Sequence, residues 1–365
     1  MTIVFVAGTT AELIKVAPVM RALREAGRPF KLWSTSQHVT GVEQSLADLD
    51  VPSPDRYLID EAHRVHVSKS AQVPVWALRL ARSVATSRPE LKADLVADGH
   101  PGIVVVHGDT FSTVFGAALG RFLGAKVAHV EAGLRSGSAL NPFPEELNRR
   151  VVGRLTTVHF APTQREVDNL RAAKAPGEYI LTGANTVVDA LHSVDHTNLE
   201  GVDLPEHFGL VTLHRFELLR NSEEFSAIVR LLAKRSASHP LVMVLGHAEK
   251  DRLKELGLDG LFDGERFRAI DKRPYARFLP ILARADFVVT DSGGLQEECA
   301  ALGTPAAIHR ERTERHQGLG ENVLLTHLDL NILDLFLKTW RDFRRAPVEL
   351  PESPSHIIAD TLLSI

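Results

Sequence analysis

Two short hydrophobic runs in the first half of the chain are each followed directly by an acidic residue. Val104-Val105-Val106 leads into His107-Gly108-Asp109, and the run from Lys126 to Val130 leads into Glu131. Parallel strands present their carboxyl ends at one edge of a sheet, where open α/β sheets bind ligands. A carboxylate on a buried strand end is costly to desolvate and usually has a partner or a task. The pair predicts a proton-transfer site, although Asp109 alone is equally typical of a helix N-cap.

A third carboxylate and two cations accompany this pair. Pro144, at a predicted first helical position, precedes Glu145, and Arg149 follows four residues later, a spacing that also suits a surface ion pair worth a few tenths of a kcal/mol. Lys15 lies one turn into a helix that follows the strand Ile3 to Ala7. It could reach a phosphate or a carboxylate, or it could be an ordinary solvated surface lysine.

The second half contains a turn suited to a diphosphate. A strand ending at Thr290 is followed by Asp291, then Ser292-Gly293-Gly294, then a helix that carries Glu298. Small residues at a helix N-terminus let phosphate oxygens approach backbone N–H groups, and an acid one turn later can accept hydrogen bonds from ribose hydroxyls. This pattern predicts a nucleotide site, the alternative being an ordinary helix N-terminus.

A further strand end, Val211-Thr212-Leu213, is followed by His214 and Arg215, which suits phosphate binding or a structural role. The chain has no G-x-G-x-x-G after its first strand, no P-loop motif and no H-E-x-x-H spacing. We therefore predict no dinucleotide cofactor and no metal.

Composition narrows the class of protein. The 365 residues, 44% hydrophobic and 24% charged, are typical of two globular α/β domains with a cleft between them. A net charge of −4 predicts no general attraction to nucleic acid or an anionic membrane. The single cysteine, Cys299, lies in an apolar run and is predicted to be a core residue. With no signal-like segment before Ile3, we expect a cytoplasmic protein.

Short β-branched runs alternate with helical patterns throughout, which predicts two doubly wound, Rossmann-like parallel sheets. We expect an N-terminal domain over 1–176, a second domain over 177–340 after the Pro176-Gly177 break, and a tail over 341–365 whose last helix returns to the first domain. The predicted strands are Ile3 to Ala7, Phe30 to Thr35, Ile103 to His107, Lys126 to Val130, Val158 to Ala161, Gly209 to Leu213, Leu241 to Leu245, Arg268 to Ile270, Phe287 to Thr290 and Ala306 to His309.

Together these motifs resemble the bacterial, non-hydrolysing UDP-N-acetylglucosamine 2-epimerases, whose two-lobed fold is called GT-B. The matching stretches occur in family order over nearly the whole chain: His107 to Thr110, His129 to Arg135, Pro144 to Arg149, Thr212 to Arg215, Thr290 to Glu298 and Thr313 to Arg315. The resemblance implies inversion at C2 of a UDP-sugar without NAD or metal. UDP is eliminated to leave a 2-acetamidoglucal and is then added back.

The resemblance also assigns roles residue by residue. It implies that Asp109, Glu131 and Glu145 are the acid–base carboxylates, that His214 lies near the diphosphate, and that Lys15, Arg135 and Arg149 orient carboxylates or phosphate. It implies a diphosphate turn at Ser292, Gly293 and Gly294 and a ribose contact at Glu298. It further implies nucleotide or effector contacts at Arg215, His247 and Arg315, with Tyr275 and Phe278 beside the uracil. A homodimer is a family expectation.

The chain departs from the family pattern at Thr10, Val39 and Phe216, where the family has arginines. These changes fit a specialised biosynthetic enzyme with altered regulation or a related substrate, and they fit weakened activity equally well. They leave open a hydrolysing epimerase, which releases N-acetylmannosamine and UDP. Two further alternatives are a glycosyltransferase on the same scaffold, which usually needs one base, and a UDP-sugar sensor without turnover.

Overall fold

The computed structural model describes residues 1–38, 42–60, 62, 64, 67, 72–96, 99–137, 143–193, 199 and 201–365. It divides into two compact units, which are described separately. Unit 1 comprises Met1–Ser193 with Leu350–Ile365, and unit 2 comprises Val194–Glu349. The predicted departure at Val39 lies outside the described residues.

The described part of unit 1 contains a seven-stranded sheet in the order β3-β2-β1-β4-β5-β6-β7, with every neighbouring pair parallel. The chain steps outward from β1 to one edge and, from β4, outward to the other, which is the doubly wound arrangement predicted from the sequence. The strands are β1 Ile3–Ala7, β2 Phe30–Ser34, β3 Arg56–Tyr57, β4 Ile103–His107, β5 Lys126–Val130, β6 Val158–Ala161 and β7 Glu178–Leu181. The helices are α1 Thr10–Glu25, α2 Val42–Asp48, α3 Val73–Thr86, α4 Arg88–Leu95, α5 Phe111–Leu123, α6 Glu145–Leu155, α7 Gln164–Ala172, α8 Val187–His192 and, from the end of the chain, α15 Pro354–Ser364.

Unit 2 repeats the arrangement with a six-stranded parallel sheet in the order β10-β9-β8-β11-β12-β13. Its strands are β8 Gly209–Thr212, β9 Leu241–Leu245, β10 Phe267–Asp271, β11 Phe287–Thr290, β12 Ala306–Ile308 and β13 Val323–Leu325. Its helices are α9 Phe216–Arg220, α10 Ser222–Ser236, α11 His247–Glu255, α12 Tyr275–Arg284, α13 Gly293–Leu302 and α14 Leu330–Thr339, with 3-10 turns at Asp259–Leu261 and Trp340–Phe343. The prediction of two doubly wound parallel sheets is confirmed.

The central strands are buried along their whole length, which is why they appear in the sequence as continuous hydrophobic runs. All ten predicted strands are present, with ends within one residue of those predicted. The three strands that were not predicted, β3, β7 and β13, lie at sheet edges. Edge strands are short and partly solvated, so they lack a strong hydrophobic pattern.

The division between the units differs from the sequence-based boundaries. Strand β7 pairs with β6 in the first sheet, so Glu178–Leu181 and the following α8 belong to unit 1. The change of unit lies at 193/194, whereas the sequence analysis placed it after residue 176. At the other end of the chain, α15 packs against α1, and the backbone N–H of Ser355 donates to Asp189 of α8 at 2.8 Å.

Gly133, in the turn after β5, and Gly124, before β5, both have left-handed backbones. Comparing the two tests how tightly the turn after β5 is packed. Gly133 has φ +90°, and a Cβ added there would lie 2.4 Å from the carbonyl oxygen of Glu166, whereas Gly124 has φ +80° and nothing within 4 Å of an added Cβ. We expect Gly124→Ala to cost about 1–2 kcal/mol, the cost of a left-handed backbone for an L-residue. Gly133→Ala should cost more, because the backbone of α7 must also move. Urea unfolding curves would measure both, and equal losses would contradict the packing described.

Candidate active site

Glu131 follows β5 with its side chain buried and its backbone at φ +65°. Lys15 Nζ and Asn185 Nδ2 both donate to its Oε2 atom, and His107 Nε2 lies 3.6 Å from the same oxygen. A left-handed, non-glycine residue costs about 1–3 kcal/mol, and such strain is concentrated at functional sites. Lys15 is only 8% exposed, so it is not a solvated surface lysine. The strained residue therefore presents a carboxylate that is held by donors from α1 and from the loop before α8.

Glu12 holds α1 in place. Its Oε2 atom accepts hydrogen bonds from the N–H groups of Gly8 at 3.0 Å and Thr9 at 2.9 Å, forming a capping box with Thr9. Its Oε1 atom accepts from the hydroxyls of Thr110 at 2.7 Å and Thr113 at 3.2 Å. Burial raises the pKa of Glu12, and the hydrogen bond from Gly8 opposes this. The carboxyl group thus ties the turn before Lys15 to the turn after β4.

Asp109 lies in that second turn, between β4 and α5. The N-cap of α5 is Thr110, so the N-cap alternative for Asp109 is excluded. Arg149 donates to Asp109 Oδ2 at 2.5 Å, and Asn148 donates to the backbone oxygen of Asp109 at 2.7 Å. The side chain of Asp109 is half-buried. Helix α6 is therefore anchored on the residue that the sequence analysis singled out.

The first turn of α6 carries two acidic residues with different environments. Pro144 occupies the N-cap rather than the predicted first helical position, and Glu145 is the first residue of the helix. Glu145 is half-buried, and its Oε2 atom has no hydrogen-bond partner among the described residues. Glu146 is fully buried and contacts Arg149 at 3.5 Å. Because Arg149 is itself buried, it forms interior ion pairs and not the surface pair that its spacing from Glu145 could have indicated.

Arg135 lies beside the same buried carboxylate. Its Nε atom is 3.9 Å from Glu146, and its guanidinium donates to the backbone oxygen of Leu134 at 2.7 Å. Burial lowers the pKa of Arg135, and the negative charge of Glu146 opposes this. Within unit 1 the predicted residues thus include two ion pairs, Lys15 with Glu131 and Arg149 with Asp109. Arg135 lies beside Glu146, the chain neighbour of Glu145.

In unit 2, the turn after β11 leads from the strand directly into α13 through small residues. Ser292 is the N-cap of α13 and accepts from the N–H of Leu295 at 3.5 Å, while Gly293 and Gly294 begin the helix. The hydroxyl of Thr290 receives the N–H of Ser292 at 3.0 Å and pairs with the hydroxyl of Thr212 on β8 at 2.6 Å. The N-terminus of α13 therefore offers a fixed, positively polarised set of N–H groups to an anion.

Residues that follow the neighbouring strand β8 are fixed to this turn by Asp291. The backbone N–H groups of His214 and Arg215 donate to Asp291 Oδ2 at 2.9 Å and 2.8 Å, and Arg215 Nε donates to the backbone oxygen of Asp291 at 2.9 Å. Asp291 is 1% exposed, whereas the His214 side chain is 48% exposed. The imidazole and the guanidinium are thus held at the edge of the sheet beside the α13 N-terminus.

Glu298, which is buried, and Tyr275, which is half-buried, interact with each other in the same region. Glu298 lies one turn into α13, and Tyr275 begins α12 with Phe278 three residues later, both aromatic rings half-buried. Burial raises the pKa of Tyr275, and the nearby charge of Glu298 raises it further. The hydroxyl therefore stays protonated. Cys299, the next residue of α13, is fully buried with its pKa raised by burial, as expected for a core thiol.

The remaining predicted nucleotide or effector residues, and the positions that depart from the family pattern, differ in how exposed they are. Arg315 is buried against Glu297 at 2.5 Å, where it holds its loop to α13. His247 is exposed at the start of α11, and Phe216 is exposed at the start of α9, with the Arg220 guanidinium 4.4 Å above its ring. Thr10 is the half-buried first residue of α1.

Sequence reasoning missed several residues that hold these groups. The sequence analysis assigns no role to Asn185, Glu12 or Asp291, although each of them fixes one of these groups in the structure. Arg310 was not singled out, yet its guanidinium lies 3.7 Å from the position of a Cβ on Gly293 and 3.3 Å from Glu314. The Thr9-x-x-Glu12 capping pattern was the one available signal.

Two kinds of feature, a metal-binding cluster and a membrane-spanning helix, were sought among the residues that the structure describes. Within them, no three or more His, Cys, Asp or Glu side chains are grouped so that they could hold a metal ion. No helix in that part of the chain is long and apolar enough to cross a membrane.

Solved structures with the same two-domain, GT-B-like fold include UDP-GlcNAc 2-epimerases. One from Neisseria meningitidis bound to UDP-GlcNAc is 27% identical, with a TM-score of 0.81 and 100% of both chains covered. One from Methanocaldococcus jannaschii in complex with UDP-GlcNAc and UDP is 26% identical, with a TM-score of 0.77 and the same coverage.

Sequence relatives agree with the structural likeness. The UDP-N-acetylglucosamine 2-epimerase of Bacillus subtilis is 31% identical over 326 residues, which cover 87% of this chain and 80% of that protein. The family model described as UDP-N-acetylglucosamine 2-epimerase matches residues 31–336. That match covers both doubly wound sheets except for β1 and the first residue of β2. It also includes every predicted site residue except Lys15. The chain therefore belongs to the UDP-N-acetylglucosamine 2-epimerase family.

Proposed function

We propose that this enzyme interconverts UDP-N-acetylglucosamine and UDP-N-acetylmannosamine by inversion at C2. A base removes the C2 proton, the bond from C1 to the diphosphate oxygen breaks, and UDP leaves with the bonding electrons to give a 2-acetamidoglucal. UDP then adds back to C1 while a proton is delivered to the other face of C2. The observation that carries the proposal is the buried Glu131 carboxylate held by Lys15 and Asn185.

The carboxylates of unit 1 have the properties that this chemistry needs. Because the reaction is reversible, each acid–base group must act as a base in one direction and an acid in the other. Glu131 and Asp109 are each ion-paired to a cation, Lys15 and Arg149. Glu145 contributes a half-buried carboxylate on α6, the helix that Asp109 anchors. Fixed partners keep such groups oriented without reorganisation during the proton transfer.

Unit 2 has the properties needed to bind UDP and to stabilise it as a leaving group. The α13 N-terminus at Ser292, Gly293 and Gly294 offers N–H groups for the diphosphate, and we assign the adjacent His214 and Arg215 to its negative charge. Glu298 is assigned to the ribose hydroxyls. Tyr275 and Phe278 supply the aromatic surface that we assign to the uracil. His247 and Arg315 contribute to the surroundings of the nucleotide or an effector.

The hydrolysing reaction is the second candidate, and Phe216 is the observation that favours it. Where the family has an arginine, the exposed Phe216 ring lies under Arg220, so this position supplies no cation of its own to an anionic effector. In that reaction water takes the place of UDP in the second step, and N-acetylmannosamine is released.

We further propose that the enzyme works as a homodimer in the cytoplasm. The buried free thiol of Cys299 fits a reducing compartment. Light scattering coupled to size-exclusion chromatography tests the oligomer: twice the chain mass supports a dimer, and 40.1 kDa contradicts it.

Proton NMR in heavy water tests the reaction directly. Purified enzyme incubated with UDP-N-acetylglucosamine, without added NAD or metal, should accumulate UDP-N-acetylmannosamine carrying deuterium at C2. Free N-acetylmannosamine with UDP would establish the hydrolysing reaction instead. Absence of both exchange and product would contradict both reactions for this substrate. UDP binding without turnover would then favour a sensor, and sugar transfer to an added acceptor a glycosyltransferase.

Amide substitutions test the acid–base assignment. Glu131→Gln and Asp109→Asn keep the size of each side chain and remove its proton-accepting charge, so we expect kcat to fall about 10²- to 10⁴-fold. UDP affinity, measured by calorimetry, should change little because these residues belong to unit 1. Glu90→Gln, at an exposed ion pair with Arg56, is the matched control and should retain normal kcat. A folded Glu131→Gln enzyme with normal deuterium exchange would rule Glu131 out as an acid–base group.

A further inference from the structure

Asp291 contacts both backbone and side-chain groups of the residues that follow β8. Its Oδ2 atom is saturated by the two backbone N–H groups of His214 and Arg215. Its Oδ1 atom is buried, has no hydrogen bond among the described residues, and lies 3.1 Å from His214 Nδ1. A buried carboxylate oxygen without a hydrogen-bond donor is destabilising. Because half of the His214 side chain is exposed, a small rotation of the ring can bring its Nδ1–H into line with Oδ1.

We propose that Asp291 is a positioning residue for His214, which fixes the imidazole with its proton on Nδ1 and directs Nε2 outward. The inference rests on the proposed function, in which His214 meets the diphosphate. A neutral imidazole whose Nδ1–H donates to Asp291 has an unprotonated Nε2, and Nε2 needs a proton before it can donate to a phosphate oxygen. With both nitrogens protonated, the ring bridges Asp291 and the diphosphate.

Other charged or titratable groups lie near Asp291 on the elements that surround it. Arg215, after β8, donates to the backbone oxygen of Asp291, and Arg310, after β12, interacts electrostatically with Asp291. His309, also after β12, is buried and hydrogen-bonded through Nδ1 to Thr326 at 2.8 Å. Burial lowers the pKa of His309 to about 4, so it is neutral near pH 7.

The same strand provides a matched control. Asp286 precedes β11 and Asp291 follows it, so the two acids stand at opposite ends of one strand. Asp286 also pairs with histidines, at 3.1 Å from His239 and 3.3 Å from His207. Asp286→Asn therefore removes an equivalent charge and an equivalent aspartate–histidine contact without touching the α13 turn.

The experiment uses nitrogen-15 NMR of imidazole-labelled, full-length enzyme, with His214 signals assigned by their loss in His214→Gln. In the wild type without UDP, we expect neutral His214 to be the Nδ1–H tautomer. Asp291→Asn keeps an oxygen for the two backbone N–H groups but presents an NH₂ group to the ring, so the tautomer should reverse to Nε2–H. Asp286→Asn should leave the His214 signals unchanged. A wild-type His214 that already carries its proton on Nε2 would overturn the proposal without reliance on any variant.

Calorimetry of UDP binding measures the second consequence. The affinity of Asp291→Asn for UDP should fall about 10- to 100-fold relative to the wild type, the range expected for one charge-assisted hydrogen bond. If Asp291→Asn changes the His309 signals and leaves those of His214 unaltered, Asp291 serves the buried histidine and the proposal fails. Failure of UDP to bind the wild type would count against the proposed function, whereas the tautomer result, obtained without UDP, tests the positioning role separately.

Discussion

A buried carboxylate loses its hydration at a cost of several kcal/mol. Hydrogen-bond donors held in fixed positions by the fold must offset that cost. Each of the central acids in this protein satisfies that requirement with donors from a different element of the chain. Glu131 receives Lys15 from α1 and Asn185 from the loop before α8. Asp291 receives backbone N–H groups from the residues after β8. The acids are thus the points at which separate strand ends are joined.

This constraint explains why these acids lie at the carboxyl ends of the strands. The central strands are buried and mainly apolar, and the first charged residues after them lie at the edge of the sheet. Glu12 shows the consequence, since one carboxyl group bonds to the turns that follow β1 and β4. The positions of Lys15 and Asp109 are therefore coupled through hydrogen bonds that neither residue makes itself.

The sequence predicted the parts of the molecule that depend on local pattern. The strand ends that carry Asp109, Glu131 and Ser292 are visible because a hydrophobic run stops at a polar residue. Partners contributed from far along the chain have no such signal. Asn185 reaches Glu131 across 54 positions, and its own surroundings resemble an ordinary loop. Arg315 matched a family motif, but only the structure shows its guanidinium turned inward against Glu297, because burial of a long side chain is not encoded by its neighbours in sequence.

The return of α15 to α1 makes unit 1 discontinuous in the chain, with the whole of unit 2 inserted before its last helix. Domains generally fold as units while the ribosome delivers them from the N-terminus. Unit 2 is complete before the residues of α15 emerge, so it can finish folding while unit 1 still lacks a helix. The face of α1 that α15 covers is exposed for all of that interval. Unit 1 begins to be synthesised first and is consequently completed after unit 2, and the helix carrying Lys15 is covered by α15 only after all of unit 2 has been translated.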